Sequence, residues 1–305
     1  MANSTRHHFI PEFYLKAFTD PAGKFYIYEK KTGKFRGNGK RFPPKQQFFE
    51  WYGNMVKFGE VESDFIEEGF SDMDSKVAQI IAKVKVDEGA TLQEEDWLLV
   101  QFFVNIMHWR IPANSYKVKE FIEKATGLKD FGMKLKRKGS NLPIKEDDEQ
   151  NLFLRMKGDA DFPKFLKLSM PAITFPERLN SPINDHARIM SFPMGQLPYL
   201  VSDNPIIYRQ PGISSHIDEF IFPLTPKNIL LRTKLKDTAY YSNLRIKIDT
   251  LLFAQAHEYV SCTEKRYPLM LNGLFKNAYK SSLEMLRENI FTSILDRNSL
   301  PVNSQ

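Results

Sequence analysis

Two adjacent imidazoles, His7 and His8, head the segment Arg6-His7-His8-Phe9-Ile10-Pro11-Glu12-Phe13-Tyr14-Leu15-Lys16-Ala17-Phe18. Imidazole is the commonest metal ligand and general base, so a His pair at the mouth of an aromatic stretch is a candidate site. Phe9-Ile10-Pro11 belongs to no purification tag, and two histidines are too few for one. The competing account is structural: one imidazole bonds a carboxylate or carbonyl and pins the chain while the other faces water. Both accounts stand at this point.

Ser202-Asp203-Asn204-Pro205 interrupts strand-like sequence between Tyr199-Leu200-Val201 and Ile206-Ile207-Tyr208. Asp203 at a strand end could project into a cleft and hold a metal or activate water. Alternatively, Asp203 or Asn204 caps its own backbone in an Asx-type turn before the proline. Glu60, Glu67 and Asp74 recur every seven residues, which stacks carboxylates along one helical face. Hard divalent cations favour such oxygens, although a solvated acidic stripe has the same pattern.

Arg110, beside Trp109 and before Pro112, could bind an anion or close an internal ion pair. His108 lies inside an apolar run and reads as a core histidine, and Cys262 has no motif around it. The run Lys134-Leu135-Lys136-Arg137-Lys138 could touch phosphates, but Glu146-Asp147-Asp148-Glu149 follows closely and offsets its field. The chain carries no phosphate loop, no Gly-x-Gly-x-x-Gly, no His-Glu-x-x-His and no Gly-x-Ser-x-Gly elbow. An ATPase, a Rossmann dehydrogenase and an α/β-hydrolase are therefore not expected, nor is a nucleotide or redox cofactor.

The elements that would position these residues follow from periodicity. Lys24-Phe25-Tyr26-Ile27-Tyr28-Glu29 reads as a strand, Lys30 to Lys34 as a turn, and Phe35 as the start of a return strand. From about Glu60 the period is helical, with Phe65, Ile66, Met73, Val77, Ile80 and Ile81 near one face. Thr91 and Glu94 suggest a capping box before Trp97–Met107, which is apolar nearly all round and reads as the central buried helix. Pro112 ends that helix, and another from Ala113 to about Lys124 stops at Gly127. Residues 128–150 read as a mobile insertion or linker.

A helical stretch from Glu149 to about Leu168 is interrupted at Pro163. Beyond Pro171 the spacing predicts short strands at 186–192, 197–201, 206–208, 220–222 and 229–232, in one sheet. The tail predicts helices over 244–258 and 270–294. The expected fold is α+β: predominantly helical, with an N-terminal β-hairpin and a mixed or antiparallel sheet in the second half. Residues 1–262 would form the core domain and 263–305 a helical extension packed on it.

At 305 residues, with 42% hydrophobic and 26% charged residues, the chain has the composition of a globular protein. A single cysteine excludes an internal disulfide and a multi-cysteine zinc site. No apolar run of membrane-spanning length occurs and no signal peptide is evident, so a cytoplasmic protein without a membrane partner is expected. A net charge of +6 favours a polyanionic partner only mildly, because 43 basic residues face 37 acidic ones.

Together these motifs resemble the domain-of-unknown-function family 4238. The likeness begins at His8-Phe9-Ile10-Pro11 and continues through Glu67 and Asp74, then Trp109-Arg110-Ile111-Pro112. Leu200-Val201-Ser202-Asp203-Asn204-Pro205 and Phe222-Pro223-Leu224-Thr225-Pro226 complete it. Asp74 stands where a glutamate is expected and Asp249 where an asparagine is expected. The resemblance strengthens His8, Arg110 and Asp203 as site residues without naming a reaction.

Two functions are expected on these grounds. The first is a metal-dependent phosphodiesterase or nuclease: His8, Glu67, Asp74 and Asp203 hold Mg²⁺ or Mn²⁺, and Arg110 holds a phosphate oxygen. His7, Asn204, Lys136 and Arg137 assist nucleic-acid binding. The second is a non-enzymatic module that binds a nucleotide, nucleic acid or protein, in which His8, Arg110 and Asp203 form a structural polar network.

Overall fold

The computed structural model describes residues 6–58, 61–63, 65–86, 92–132, 139, 145–179, 187–192, 197–212, 218–235, 238–241 and 243–296. The chain opens with β1 (Arg6–His8) and α1 (Glu12–Lys16). The expected hairpin follows as β2 (Phe25–Glu29) and β3 (Lys34–Phe35), with Gly33 at φ +66° closing the turn. A distorted turn α2 (Arg36–Gly39), β4 (Arg41–Phe42), β5 (Phe49–Trp51) and the pair β6 (Val56–Phe58) and β7 (Val61–Ser63) complete the N-terminal part.

Five helices come next: α3 (Phe65–Val86), α4 (Glu94–Arg110), α5 (Ser115–Lys124), α6 (Glu146–Lys157) and α7 (Phe162–Leu179). Then come β8 (Ala187–Ser191), β9 (Leu200–Ser202), β10 (Ile207–Tyr208), β11 (Phe220–Pro223), β12 (Asn228–Arg232) and β13 (Thr238–Tyr240). The chain closes with α8 (Leu244–Gln255), β14 (Tyr259–Cys262), α9 (Arg266–Tyr279), α10 (Leu283–Thr292) and β15 (Ile294–Asp296). The fold is α+β with antiparallel sheets. Among the described residues no helix is long and apolar enough to cross a membrane.

α4 is the buried centre, and every residue from Phe103 to Arg110 on it is buried. It packs between α3 and α7, and Phe103 reaches the ring of Phe222 on β11 at 6.1 Å. Tyr14 of α1 stacks on that same Phe222 at 5.2 Å and donates its hydroxyl to Pro223 O. Burying several aromatic rings at one point supplies most of the local stabilisation, because each removes a large apolar area from water. α4 begins at Glu94, with Gln93 in the cap position and no side-chain cap bond; three acids in its first turn complement the helix dipole instead. Thr91 lies outside the described residues.

The structure departs from the sequence expectations at five places. The five strands expected in the second half fall in two sheets, not one: β10-β11-β12-β8 form the first, while β9 joins β14, β2 and β3 in another. The turn at Ser202-Asp203-Asn204-Pro205 diverts the chain between them. α7 runs through Pro171 and Pro176 to Leu179 instead of giving way to strand. An interior proline costs about 3 kcal/mol, and here tertiary bonds offset it. Asn105 Nδ2 donates to Pro171 O at 2.8 Å, and Trp109 Nε1 donates to Thr174 Oγ1 at 3.1 Å.

The tail helix stops at Gln255, not at Glu258, because Lys30 Nζ donates to Phe253 O and Ala254 O and terminates it. Tyr259-Val260-Ser261-Cys262 then enters the sheet. The following helix breaks between Tyr279 and Leu283, where Lys280 and Ser281 adopt left-handed φ. In the segment read as an insertion, Leu128 and Phe131 are buried in a 3-10 turn and α6 begins at Glu146; Lys136 and Arg137 lie outside the described residues.

Lys117 on α5 is buried, 3.5 Å from His108 Nε2 and 5.8 Å from the Tyr208 ring. Burial pushes its ammonium down from 10.5 to about 8. Between those values the unfolded chain holds a proton that the native protein lacks, so this residue's contribution to stability rises with pH across the window. Lys117→Met should therefore be more stable than wild type near neutral pH. That advantage should shrink by about 3 kcal/mol as pH climbs from about 8 to 10.5, in chemical denaturation of both proteins.

Candidate functional site

β1 pairs with β5, placing His7 opposite Glu50 and His8 opposite Phe49. Alternation along β1 turns His7 inward, where Nδ1 accepts the Asn54 amide at 2.7 Å. His7 is thus the imidazole that anchors the segment. His8 is half-buried, its ring 5.8 Å from Phe49, and its carbonyl oxygen accepts a hydrogen bond from the Arg110 guanidinium.

Arg110, in the last turn of α4, is 4% exposed. Its Nη1 lies 3.4 Å from both oxygens of Asp74 on α3, and its guanidinium sits 4.8 Å from the Phe70 ring centre. The anion expected for Arg110 is therefore Asp74 itself. A buried guanidinium needs this combination of carboxylate, carbonyl and aromatic face to offset its lost hydration. Glu67 lies on α3, its side chain outside what is described, and Glu60 is outside the described residues.

Asp203 does not cap its own backbone. Its carboxylate reaches across the fold: Oδ1 accepts the amide of His257 at 2.8 Å, and Oδ2 accepts those of Glu258 and Tyr259 at 2.6 and 2.8 Å. Burial pushes its carboxyl above the usual range, against the pull of these three donors. Asn204 and Gln255 lock the same turn: Gln255 Nε2 donates to Asn204 O at 2.7 Å and to Ile206 O at 3.0 Å, and Asn204 Nδ2 donates to Gln255 O.

Of the four residues expected around a metal, Asp74 is bonded to Arg110 and Asp203 to three amides, His8 is half-buried, and the Glu67 side chain lies outside what is described. Among the described residues no three His, Cys, Asp or Glu side chains are arranged to hold an ion. Asp203 would have to release its amides, and Asp74 its guanidinium. Three other expectations have structural outcomes. His108 is fully buried, edge-on to Trp109 and Tyr208. Cys262 is buried, with its thiol pushed up to about 12. Asp249 binds Arg245 Nε and accepts the Tyr267 hydroxyl at 2.6 Å.

What the motifs do share is a cavity of about 280 Å³. Phe9 comes from the opening segment, Pro112 and Ala113 from the end of α4, and Asp203, His257, Glu258 and Tyr259 from the clasped turn; Phe49 and Glu50 of β5 close it. Pro112 and Ala113 are held there because Asn114 Nδ2 donates to His108 O at 2.6 Å, capping α4.

A second concavity of about 480 Å³ lies along β5 and the turn after it, lined by Glu50, Trp51, Tyr52, Lys119, Lys164 and Lys167 among others. Trp51 is 58% and Tyr52 49% exposed, unusual for rings of that size. Tyr52 has φ +55°, and Lys164 Nζ fixes the turn by donating to Tyr52 O at 2.7 Å. Burial lowers the Lys167 ammonium, opposed by Glu50. The Arg6 guanidinium lies 5.1 Å from the Trp51 ring. Sequence reasoning missed this groove; its signals were the aromatic run Phe48-Phe49-Glu50-Trp51-Tyr52 and the lysines three apart on α7.

The fold and site define an α+β protein whose motif residues brace a cavity through main-chain bonds. The chain belongs to the DUF4238 family, described as a protein of unknown function, whose profile matches residues 6–260. No curated protein and no solved structure matches the sequence.

Replacing Asp203 by alanine leaves three amides without their acceptor and should cost about 2–4 kcal/mol in unfolding free energy. Mn²⁺ should shift the melting temperature of neither protein. A stable Asp203→Ala variant, or wild-type stabilisation by Mn²⁺ that the variant loses, would restore the metal-site reading.

Proposed function

We propose that the protein is a non-catalytic module that binds single-stranded nucleic acid. The observation that carries this is the groove beside β5, where exposed Trp51 and Tyr52 stand next to Lys119, Lys164 and Lys167. Single strands are held this way, by cations that follow the phosphates and aromatic faces on which bases stack. Three lysines supply sequence-independent affinity, and the net charge of +6 acts in the same direction.

The polar motifs then serve the scaffold. This is preferred to the metal-dependent nuclease because the carboxylates that such an enzyme would place on Mg²⁺ or Mn²⁺ are already bonded, Asp203 to amides and Asp74 to Arg110. No step is assigned to a metal.

Fluorescence anisotropy with a labelled single strand of about 16 nucleotides should detect binding that weakens steeply with salt. Lys164→Ala and Lys167→Ala should each flatten the log K against log salt slope by about 0.7. Trp51→Ala should cost about 1–3 kcal/mol. Affinity indifferent to all three substitutions, or metal-stimulated cleavage of the strand, contradicts the proposal.

A further inference from the structure

The turn of the first hairpin, the end of α8 and the loop after α9 flank a concavity of about 450 Å³. It shares no lining residue with the groove or with the cavity at Asp203. Three lysines line it, Lys30 and Lys31 from the hairpin turn and Lys276 from the last turn of α9, and among the described residues no carboxylate does. The three ammonium groups differ in what already holds them. Lys31 is neutralised by Glu258, 2.8 Å away. Lys30 gives two of its three donors to Phe253 O and Ala254 O, which carry no formal charge. Burial lowers its ammonium, and Asp203 raises it through space without pairing to it. Lys276 is exposed and pairs with no acid among the described residues. Two positive charges therefore border the concavity without a paired acid.

The uncharged lining is also rich in donors. Tyr28 is only 6% exposed, and its hydroxyl lies beside Gly33 under the hairpin turn. That hydroxyl opens onto the concavity and has no hydrogen-bond partner among the described residues. An unpaired hydroxyl in such a place is costly unless something from outside the fold completes it. Asn272 and Ser281 present an amide and a hydroxyl, neither bonded among the described residues, whereas Thr32 gives its hydroxyl to Glu29 O. Half-buried Phe275 forms an apolar wall.

Ammonium groups, hydroxyls and an amide with no opposing carboxylate select for an anion rich in acceptors. Two unpaired charges match a group that carries two. A phosphomonoester has a charge of about −1.5 to −2 at neutral pH and three acceptor oxygens, whereas a phosphodiester or a carboxylate carries one charge. Lysine holds phosphate as a point charge, so converging ammonium groups serve without the fork of arginine. The volume exceeds that of a phosphate group and leaves room for a small organic portion against Phe275. We infer that this concavity binds a small phosphomonoester, with Lys30 and Lys276 on the phosphate oxygens and the Tyr28 hydroxyl completing the contact. The site is separate from the strand groove and does not depend on that reading.

Calorimetric titration of the full chain with ribose 5-phosphate, inorganic phosphate and ribose tests it. Ribose 5-phosphate should bind most tightly, inorganic phosphate more weakly, and ribose not at all. Lys276→Ala, at an exposed position, should weaken ribose 5-phosphate about tenfold. Tyr28→Phe, which keeps the ring and removes the hydroxyl, should weaken it about fivefold. Both variants should melt with the wild-type protein and bind an oligonucleotide lacking a terminal phosphate as it does. Lys164→Ala should leave ribose 5-phosphate binding unchanged, because Lys164 lines the groove and not this concavity. No binding of ribose 5-phosphate at millimolar concentration, or indifference to both Lys276→Ala and Tyr28→Phe, overturns the inference. Inorganic phosphate or ribose binding as tightly as the ester overturns it too. A flatter oligonucleotide salt slope in Lys276→Ala would make the concavity part of the strand's path, which also contradicts it.

Discussion

The Asp203 carboxylate accepts three consecutive main-chain amides, at His257, Glu258 and Tyr259, and much of the molecule's second half is arranged around that contact. Those amides lie where α8 has ended and β14 has just begun, so neither a helix nor a ladder satisfies all of them. β14 is an inner strand of its sheet, pairing with β2 on one side and β9 on the other. Without the clasp, the turn that delivers β14 would carry orphan donors in partly buried surroundings. Lys30 completes the arrangement by binding the last carbonyls of α8.

Arg110 does for the first half what Asp203 does for the second. Its guanidinium ties α3, α4 and the β1 carbonyl of His8 into one joint. Phe9, next to His8, and Pro112, two residues beyond Arg110, line the same cavity as Asp203, so motifs separated by roughly a hundred residues in sequence come together there. A buried polar network of this kind fixes geometry more than it adds stability, since desolvation offsets much of the electrostatic gain. Fixed geometry is what a binding pocket requires, because a preorganised wall costs less to order when a ligand arrives.

The class of fold, the first hairpin, the central helix and its end before Pro112 were legible because each rests on local signals: periodicity, turn residues and proline. The motif segments were legible too, as unusual polar runs in apolar surroundings. Their partners were not. Nothing in Ser202-Asp203-Asn204-Pro205 reveals that its acceptors serve amides more than fifty residues away. The strand at Tyr259–Cys262 was hidden for the same reason, since its helix-like approach is cut off by a distant lysine. Pro171 and Pro176 misled in the opposite direction: local chemistry argued for a break, and packing onto α4 overrode it. Among the histidines, alternation along β1 decided that His7 and not His8 is buried, and the register depended on β5, whose pairing no local pattern announced.

The central claim is that Asp203 is a structural clasp and not a chemical group. Native-state amide hydrogen exchange at His257, Glu258 and Tyr259 tests it most directly. The account predicts strong protection of all three amides in the wild-type protein, and its selective loss in Asp203→Ala under conditions where β2 and β12 stay protected. Fast exchange at these amides in the folded wild type, or protection that survives the loss of the carboxylate, would contradict it.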